Sequence, residues 1–476
     1  MNPQIQPTLT TDTAETPVVP SASTGEFERE PVPQSRRKGW RSFIGMFAGE
    51  HAAGTEFMIG PLFVVHGVSA FDVLVGLLLG NLLAVLSWTF LTAPVATATR
   101  ITLYYQLEKI CGPRLVNIYN LANGLMFCFL AGAMISVSAT AVGIPFGMRM
   151  PQLNDWLPNS IGWVLAVGAV GVVISVVAAR GYEAVARFAN VAAPWMVLVF
   201  LACGLVSLSY FEVGSWAEFW EVANERIWPG EPLAGNSKFG FWHMVFFAWF
   251  ANMAMHLGMA DMSIFRYARR WQMGASSFAG MYVGHYMAWI AAAIMYAVQL
   301  DMDASNTAVA PGPMTYRTLG LAGAVCVIVA GWTTANPTIY RAGLAFQSLL
   351  PTWSRTRVTL LAGGLATAGA MFPALVMQLL DFVALYGLVL LPMGTIIIID
   401  HYFFRRAGLL DNLAEKTGIR FNNAAAFTWG ATLGLCLLGN IFLGIEIFFL
   451  GLPAWFVAAL IYVGYSKFYQ KQLQRV

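Results

Sequence analysis

The sequence predicts an all-α integral membrane protein of about twelve transmembrane helices. Three observations carry that prediction. Of 476 residues, 58% are hydrophobic and only 11% charged, against roughly a quarter charged in a soluble domain. The apolar residues fall into long runs separated by charges or by Pro and Gly clusters. About 20 apolar residues span a bilayer, so a dozen spans need roughly 240 residues and leave no room for a second soluble domain. In hydrocarbon every backbone N–H and C=O must be satisfied internally, and the runs lack the alternation of barrel strands.

In chain order, the Thr-, Pro-, Ser- and Glu-rich stretch before residue 36 has no apolar core, so residues 1–38 read as a disordered cytoplasmic tail. Apolar runs then occupy 40–66, 70–96, 114–143, 160–179, 188–211, 240–264, 275–299, 317–340, 358–376, 380–404, 424–443 and 445–466. They group into a first repeat over 39–211, an acidic outer loop over 212–239 and a second repeat over 240–406. Two further helices and a short cytoplasmic end complete the chain over 407–476.

Orientation follows from charge. With the amino terminus cytoplasmic, 23 of the 27 Lys and Arg fall in inner segments, leaving Arg149, Arg226, Lys238 and Arg317 outside. Cytoplasmic loops retain Lys and Arg, so both termini are expected inside, in a bacterial inner membrane. The net charge of +3 gives no reason to expect a nucleic-acid partner. The five cysteines are scattered through apolar stretches without metal-ligand or disulfide spacing and read as small packing residues. Trp156, Trp163, Trp216, Trp220, Trp228 and Trp242 sit near expected outer ends and read as an interfacial belt.

Two spans are interrupted. In the middle of the first lies Gly49-Glu50-His51-Ala52-Ala53-Gly54. Glycine loosens a helix, and a carboxylate at mid-membrane depth costs at least ~3 kcal/mol unless it faces a cavity or a partner. In the sixth, Asn252, His256, Gly258 and Asp261 arrive within ten residues. Asp261, near the inner end, reads either as a site residue or as a solvated terminus. Five helices separate the two breaks, so the halves insert in opposite orientations. Paired interruptions in inverted halves point to a secondary transporter with its site near the midplane. The eighth span carries Thr333-Thr334-Ala335-Asn336-Pro337, whose hydroxyls suit a hard monovalent cation or, alternatively, join helices.

At these residues the chain resembles the nucleobase–cation symporter family, the purine and cytosine permeases with their hydantoin and allantoin relatives. The motifs are Pro392 followed by Asp400-His401-Tyr402-Phe403-Phe404-Arg405-Arg406, then Gly80-Asn81-Leu82-Leu83, Ala260-Asp261 with Arg266-Tyr267, and Thr333-Thr334 with Tyr340-Arg341-Ala342-Gly343. The resemblance implies a five-plus-five inverted repeat with discontinuous helices 1 and 6, two additional helices, and alternating access. It also implies a small planar heterocycle bound between spans 1, 3, 6 and 8. In sodium-coupled members the ion is held by first-span carbonyls and by a hydroxyl pair in span 8, here Gly49, Ala53, Thr333 and Thr334; other members couple to protons.

The expected function is therefore import of a nucleobase-like nitrogen heterocycle by symport with Na+ or H+, without an organic cofactor or a bound metal centre. Phe127 and Trp249 are expected to stack on the ring, while Glu50, His51, Asn252, His256 and Asn336 read its polar edge. An amino-acid or amine carrier on the same architecture, with Glu50 pairing an ammonium group, is the alternative. A membrane-embedded metalloenzyme is a more distant one.

Overall fold

The computed structural model describes residues 27, 29–148, 151, 155–377 and 379–474, without the side chains of 376–381. Most of the expected tail, with Arg149 and Arg475, therefore lies outside the described residues.

The described chain is helical, and the helices follow the apolar runs closely. Nine are long and apolar enough to cross a membrane: Asp72–Thr99, Pro113–Phe146, Ile161–Ala179, Tyr182–Tyr210, Trp271–Met302, Leu321–Leu349, Phe382–Phe404, Asn423–Leu443 and Ile447–Leu473. These are spans 2 to 5, 7, 8 and 10 to 12. Span 9 is the 16-residue helix Arg355–Ala370, and the remaining two are broken. Span 1 consists of Trp40–His51 and Glu56–Val65; span 6 consists of Phe241–Phe250, Met253–His256 and Met262–Phe265.

Two boundaries differ in an informative way. Span 5 begins at Tyr182 and span 8 continues to Leu349, beyond charges that read as helix ends. Arg341 lies in the interior of span 8 and is fully buried, as is Arg266 at the end of span 6. Neither belongs to a solvated loop, so among the described residues 20 Lys and Arg remain on the tail side against 3. The tryptophan belt is also smaller than expected: Trp163 and Trp228 are buried, whereas Trp156, Trp216 and Trp242 are exposed. All five cysteines are buried thiols.

The packing repeats itself with inversion. Span 1 packs against spans 5 and 7, and span 6 against spans 10 and 2, the equivalents obtained by shifting five helices along the chain. Spans 3 and 8 pack on each other along much of their lengths, as do spans 4 and 9. Such pairing buries two broken helices at the centre of the bundle, the one place where unsatisfied main chain is tolerated in a membrane.

Small residues set how closely the broken segments are held. Gly280 and Gly284 of span 7 clasp His51, and a Cβ on Gly284 would lie 2.7 Å from the His51 backbone; this is the small-xxx-small spacing that lets membrane helices approach. At the break, a Cβ on Gly54 would lie 2.9 Å from Val137 of span 3. Both ends of the bundle are tied to the broken spans. On the tail side the Lys38 N–H donates to the Tyr267 carbonyl at 2.7 Å and the Arg269 N–H to Lys38 at 3.1 Å. At the far end the loop after span 5 closes over span 1, with the Leu233 N–H donating to Val65 and the Phe239 N–H to His66.

Candidate functional site

The helix of span 1 stops at His51 because Ala52 leaves helical geometry (φ −86°, ψ 58°). Residues 52–55 cross the break, and the second half starts at Glu56. Gly49, Glu50 and His51 thus form the last turn of the first half instead of the break itself. In span 6, the Gly258 N–H donates to Met253 and the Ala260 N–H to Ala254, longer reaches than the four residues of an α-helix, and Met259 has a φ of +66°. A bulky residue in that region costs strain of about 1–3 kcal/mol and persists only where surrounding packing imposes it.

Between the breaks lies a cavity of about 100 Å³. Its walls come from spans 1, 3, 6, 7, 8, 10 and 12. The polar lining includes Glu50, His51, Glu56, Asn252, His285 and Thr334, and the aromatic lining Phe247, Phe250, Trp289, Tyr386 and Phe448. A volume of several water-sized spheres suits a small compact ligand.

On the tail side of the cavity Arg341 joins both broken helices. Its Nη1 donates to Glu50 Oε1 at 2.5 Å and its Nη2 to Glu50 Oε2 at 3.2 Å and to Asp261 Oδ1 at 2.5 Å. Trp88 Nε1–H completes Asp261 through Oδ2 at 2.7 Å. All four side chains are buried. A planar guanidinium serves two carboxylates at once, which an ammonium cannot do with the same geometry. Asp261 is therefore not a solvated helix end. Glu50 faces the cavity with its charge already engaged.

Beside this network is an oxygen-rich spot. Thr334 Oγ1 donates to the Glu50 carbonyl at 2.8 Å and lies 3.1 Å from the Ala330 carbonyl; Thr333 Oγ1 donates to the same Ala330 carbonyl at 2.9 Å. In these bonds the hydroxyls act as donors and keep their oxygen lone pairs. Of the other residues expected there, Gly49 packs on Ala189 of span 5, and the Ala53 carbonyl accepts the Glu56 N–H at 3.1 Å.

Across the cavity sits a second polar group. Glu56 accepts from Trp289 Nε1–H and from the Thr55 hydroxyl. His285 Nε2 is 3.8 Å from Glu56 and 3.4 Å from the Asn252 amide nitrogen. His51 donates Nδ1–H to the Phe47 carbonyl at 2.8 Å and meets the His285 ring edge-on at 4.8 Å. No three His, Cys, Asp or Glu side chains among the described residues converge as a metal site.

Four residues expected at the ligand do not line this cavity. Phe127 is buried behind the cavity wall, with its ring 5.3 Å from Tyr386. Trp249 points to span 2, donating Nε1–H to Ser87 at 3.0 Å. His256 lies against Trp88 (4.7 Å) with Nε2 bonded to the Trp249 carbonyl at 2.9 Å. Asn336 is buried but outside the cavity lining; two residues beyond Thr334 it is about 200° around the helix. Glu50, His51, Asn252 and Thr334 do share the cavity.

Sequence reasoning missed Arg341, Glu56, His285 and Trp289. A signal for Arg341 was present: Thr334, Thr338 and Arg341 recur at the four- and three-residue intervals of one helix face. Glu56 and His285 stood only as isolated ionisable residues in apolar runs, which is itself a marker of function inside a membrane.

The fold and cavity define a class, the ten-helix inverted repeat with two broken helices and two appended helices. Solved structures share it. This chain is similar to Mhp1, a nucleobase-cation-symport-1 family transporter, in a closed conformation with bromovinylhydantoin bound, with a TM-score of 0.71 and 16% identity over 94% of this chain and 96% of that one. The inward-facing conformation of Mhp1 gives a TM-score of 0.65 at 16% identity over 93% of both chains. A Na+-coupled sialic acid symporter in a substrate-bound outward-open state gives 0.65 at 13% identity, over 90% of this chain and 89% of that one. No family model and no curated protein sequence matches the chain. The inverted-repeat membrane architecture implied by the sequence motifs is thus the one these transporters have, and the chain is a multi-pass membrane protein.

Proposed function

We propose that this protein is a secondary active transporter that imports a nucleobase-like or related nitrogen heterocycle by cation symport through alternating access. The observation that carries the reading is the meeting of two broken helices at one buried cavity, bounded on one side by Glu50, which Arg341 holds, and on the other by Glu56 and His285. A flat ring would lie against Trp289 or Phe250, and Asn252 and His285 would bond its edge, in place of Phe127, Trp249, His256 and Asn336. Thr333 and Thr334, with the Glu50 and Ala330 carbonyls, would hold the cation. Because Thr334 touches the last turn before the span 1 break, ion binding and substrate closure stabilise the same arrangement, and that reciprocity is the coupling.

The 20-to-3 charge asymmetry among the described residues supports a bacterial inner-membrane location with both termini cytoplasmic. The division into repeats over 39–211 and 240–406, with an outer loop over 212–239, is supported by the inverted packing. Engagement of Glu50 by Arg341 weighs against Glu50 as the partner of a ligand ammonium group. Uptake of labelled purines, pyrimidines and hydantoins into proteoliposomes, with and without a sodium gradient, tests the reading. Absence of gradient-dependent uptake of every heterocycle would overturn the substrate class, and competition by primary amines alone would favour the amine carrier.

A further inference from the structure

We infer that Glu56 and His285 form a proton-binding site opening onto the cavity, and that the closed state of the protein holds one proton there. The inference rests on the transport reading above and identifies a coupled ion for it.

The cavity contains two groups of buried charge with different solutions. Glu50 and Asp261 share the Arg341 guanidinium. Glu56 has no Arg or Lys: among the described residues the one basic side chain within 4 Å of it is His285, with Nε2 3.8 Å from Oε1. Its other polar neighbours are neutral, Thr55 from the end of the break and Trp289 from span 7. Further around the site, His51 of span 1 meets His285, and Asn252 of span 6 approaches it. Span 5 contributes Phe200, stacked on Phe57 at 4.2 Å. Both Glu56 and His285 are buried.

An ionised carboxylate beside a neutral imidazole would leave one uncompensated negative charge inside the membrane, which burial penalises heavily. One proton removes it. The pair is then neutral overall, whether the proton sits on the carboxyl or on the imidazole as an ion pair. That proton comes from water on one side of the membrane, and when the cavity opens to the other side it returns to water. His285 connects to the span 6 break through Asn252, and Glu56 opens the second half of span 1. With the proton on the carboxyl the neutral imidazole can accept the Asn252 N–H, so the protonated pair holds both broken helices in the closed arrangement that a substrate also needs.

Two measurements test the site. In detergent without ligand, the melting temperature of the parent should fall as pH rises, because the closed fold loses its proton, while Glu56→Gln should melt with a flatter pH dependence and Glu56→Asp with a displaced one. In proteoliposomes, labelled hydantoin, uracil and hypoxanthine serve as probes, with proton and sodium gradients imposed separately. One pH unit of gradient is worth up to about tenfold in accumulation. The parent should gain that factor and Glu56→Gln should lose it while still exchanging the probe across the membrane. Glu56→Asp, with a displaced proton dependence of uptake, provides the same test should Glu56→Gln fail to fold. Uptake that ignores the proton gradient in the parent, or equal proton dependence in parent and Glu56→Gln, overturns the site. If no probe is taken up under either gradient, the transport reading fails and the melting curves decide alone: identical pH dependence in parent and Glu56→Gln overturns the proton site.

Discussion

Arg341 Nη1 lies 2.5 Å from Glu50 Oε1, so the middle of span 8 is bonded to the last turn before the break in span 1. The same guanidinium reaches Asp261 in span 6. One buried cation thereby spans the two inverted halves at the tail side of the cavity.

Replacing Arg341 by Met should be among the most destabilising single changes in the protein. It leaves Glu50 and Asp261 buried without a cation, and breaking a buried pair this way costs about 3–5 kcal/mol. Arg341→Lys should recover only part of that loss, because an ammonium cannot make the forked contacts. Thermal melting of the purified variants checks both; a parental melting temperature in Arg341→Met would show that the network contributes no stability.

Gly54→Ala should impair folding and transport together. The added methyl would meet Val137 at 2.9 Å, and overpacking of this kind costs about 1–3 kcal/mol. Gly430→Ala in span 11, where nothing lies within 4 Å, should leave the melting temperature unchanged or raise it slightly. Melting curves of the two variants side by side make the comparison.

Thr334→Ala should weaken the apparent sodium affinity more than the substrate's intrinsic affinity. The substitution removes a hydroxyl oxygen and its bond to the Glu50 carbonyl, a change of about 1 kcal/mol or roughly fivefold. Sodium titrations of substrate binding, run on parent and variant, read the difference, and identical titrations would remove Thr334 from the ion site.

Stability on the acid side should depend on Asp411, in the loop after span 10. Partial burial pushes its carboxyl up, but bonds from Lys416 and Arg405 outweigh burial and hold it below the usual carboxylate range. The stabilisation is therefore present above the unfolded carboxylate's range and is lost as pH falls through the lower folded value. Asp411→Asn should lower the melting temperature at neutral pH and remove this part of the acid-induced decline. An unchanged acid limb in the variant would show that another carboxylate controls it.

Span positions and both interruptions were legible in the residues because the constraints behind them are local. Bilayer thickness dictates run length, hydrocarbon forbids unsatisfied backbone, and an ionisable cluster between glycines cannot continue as an ordinary lipid-facing helix. Local rules also misled. A lone arginine in an apolar context reads as a loop and ends span 8 at residue 340, whereas two carboxylates from distant helices neutralise Arg341 and let the helix continue to Leu349.

The expected aromatic residues do not line the cavity for a related reason. Phe127 and Trp249 lie on the expected spans, but helix phase relative to neighbouring helices determines which faces meet the cavity. That phase placed Trp249 against Ser87 and put Trp289, from a span not expected at the ligand, on the wall. Composition and periodicity were enough to specify a membrane bundle of inverted halves with two broken helices. Which charges pair, which aromatic rings line the hollow, and that Glu56 finds His285 instead of a cation emerged from packing, since each depends on contacts between helices far apart in the chain.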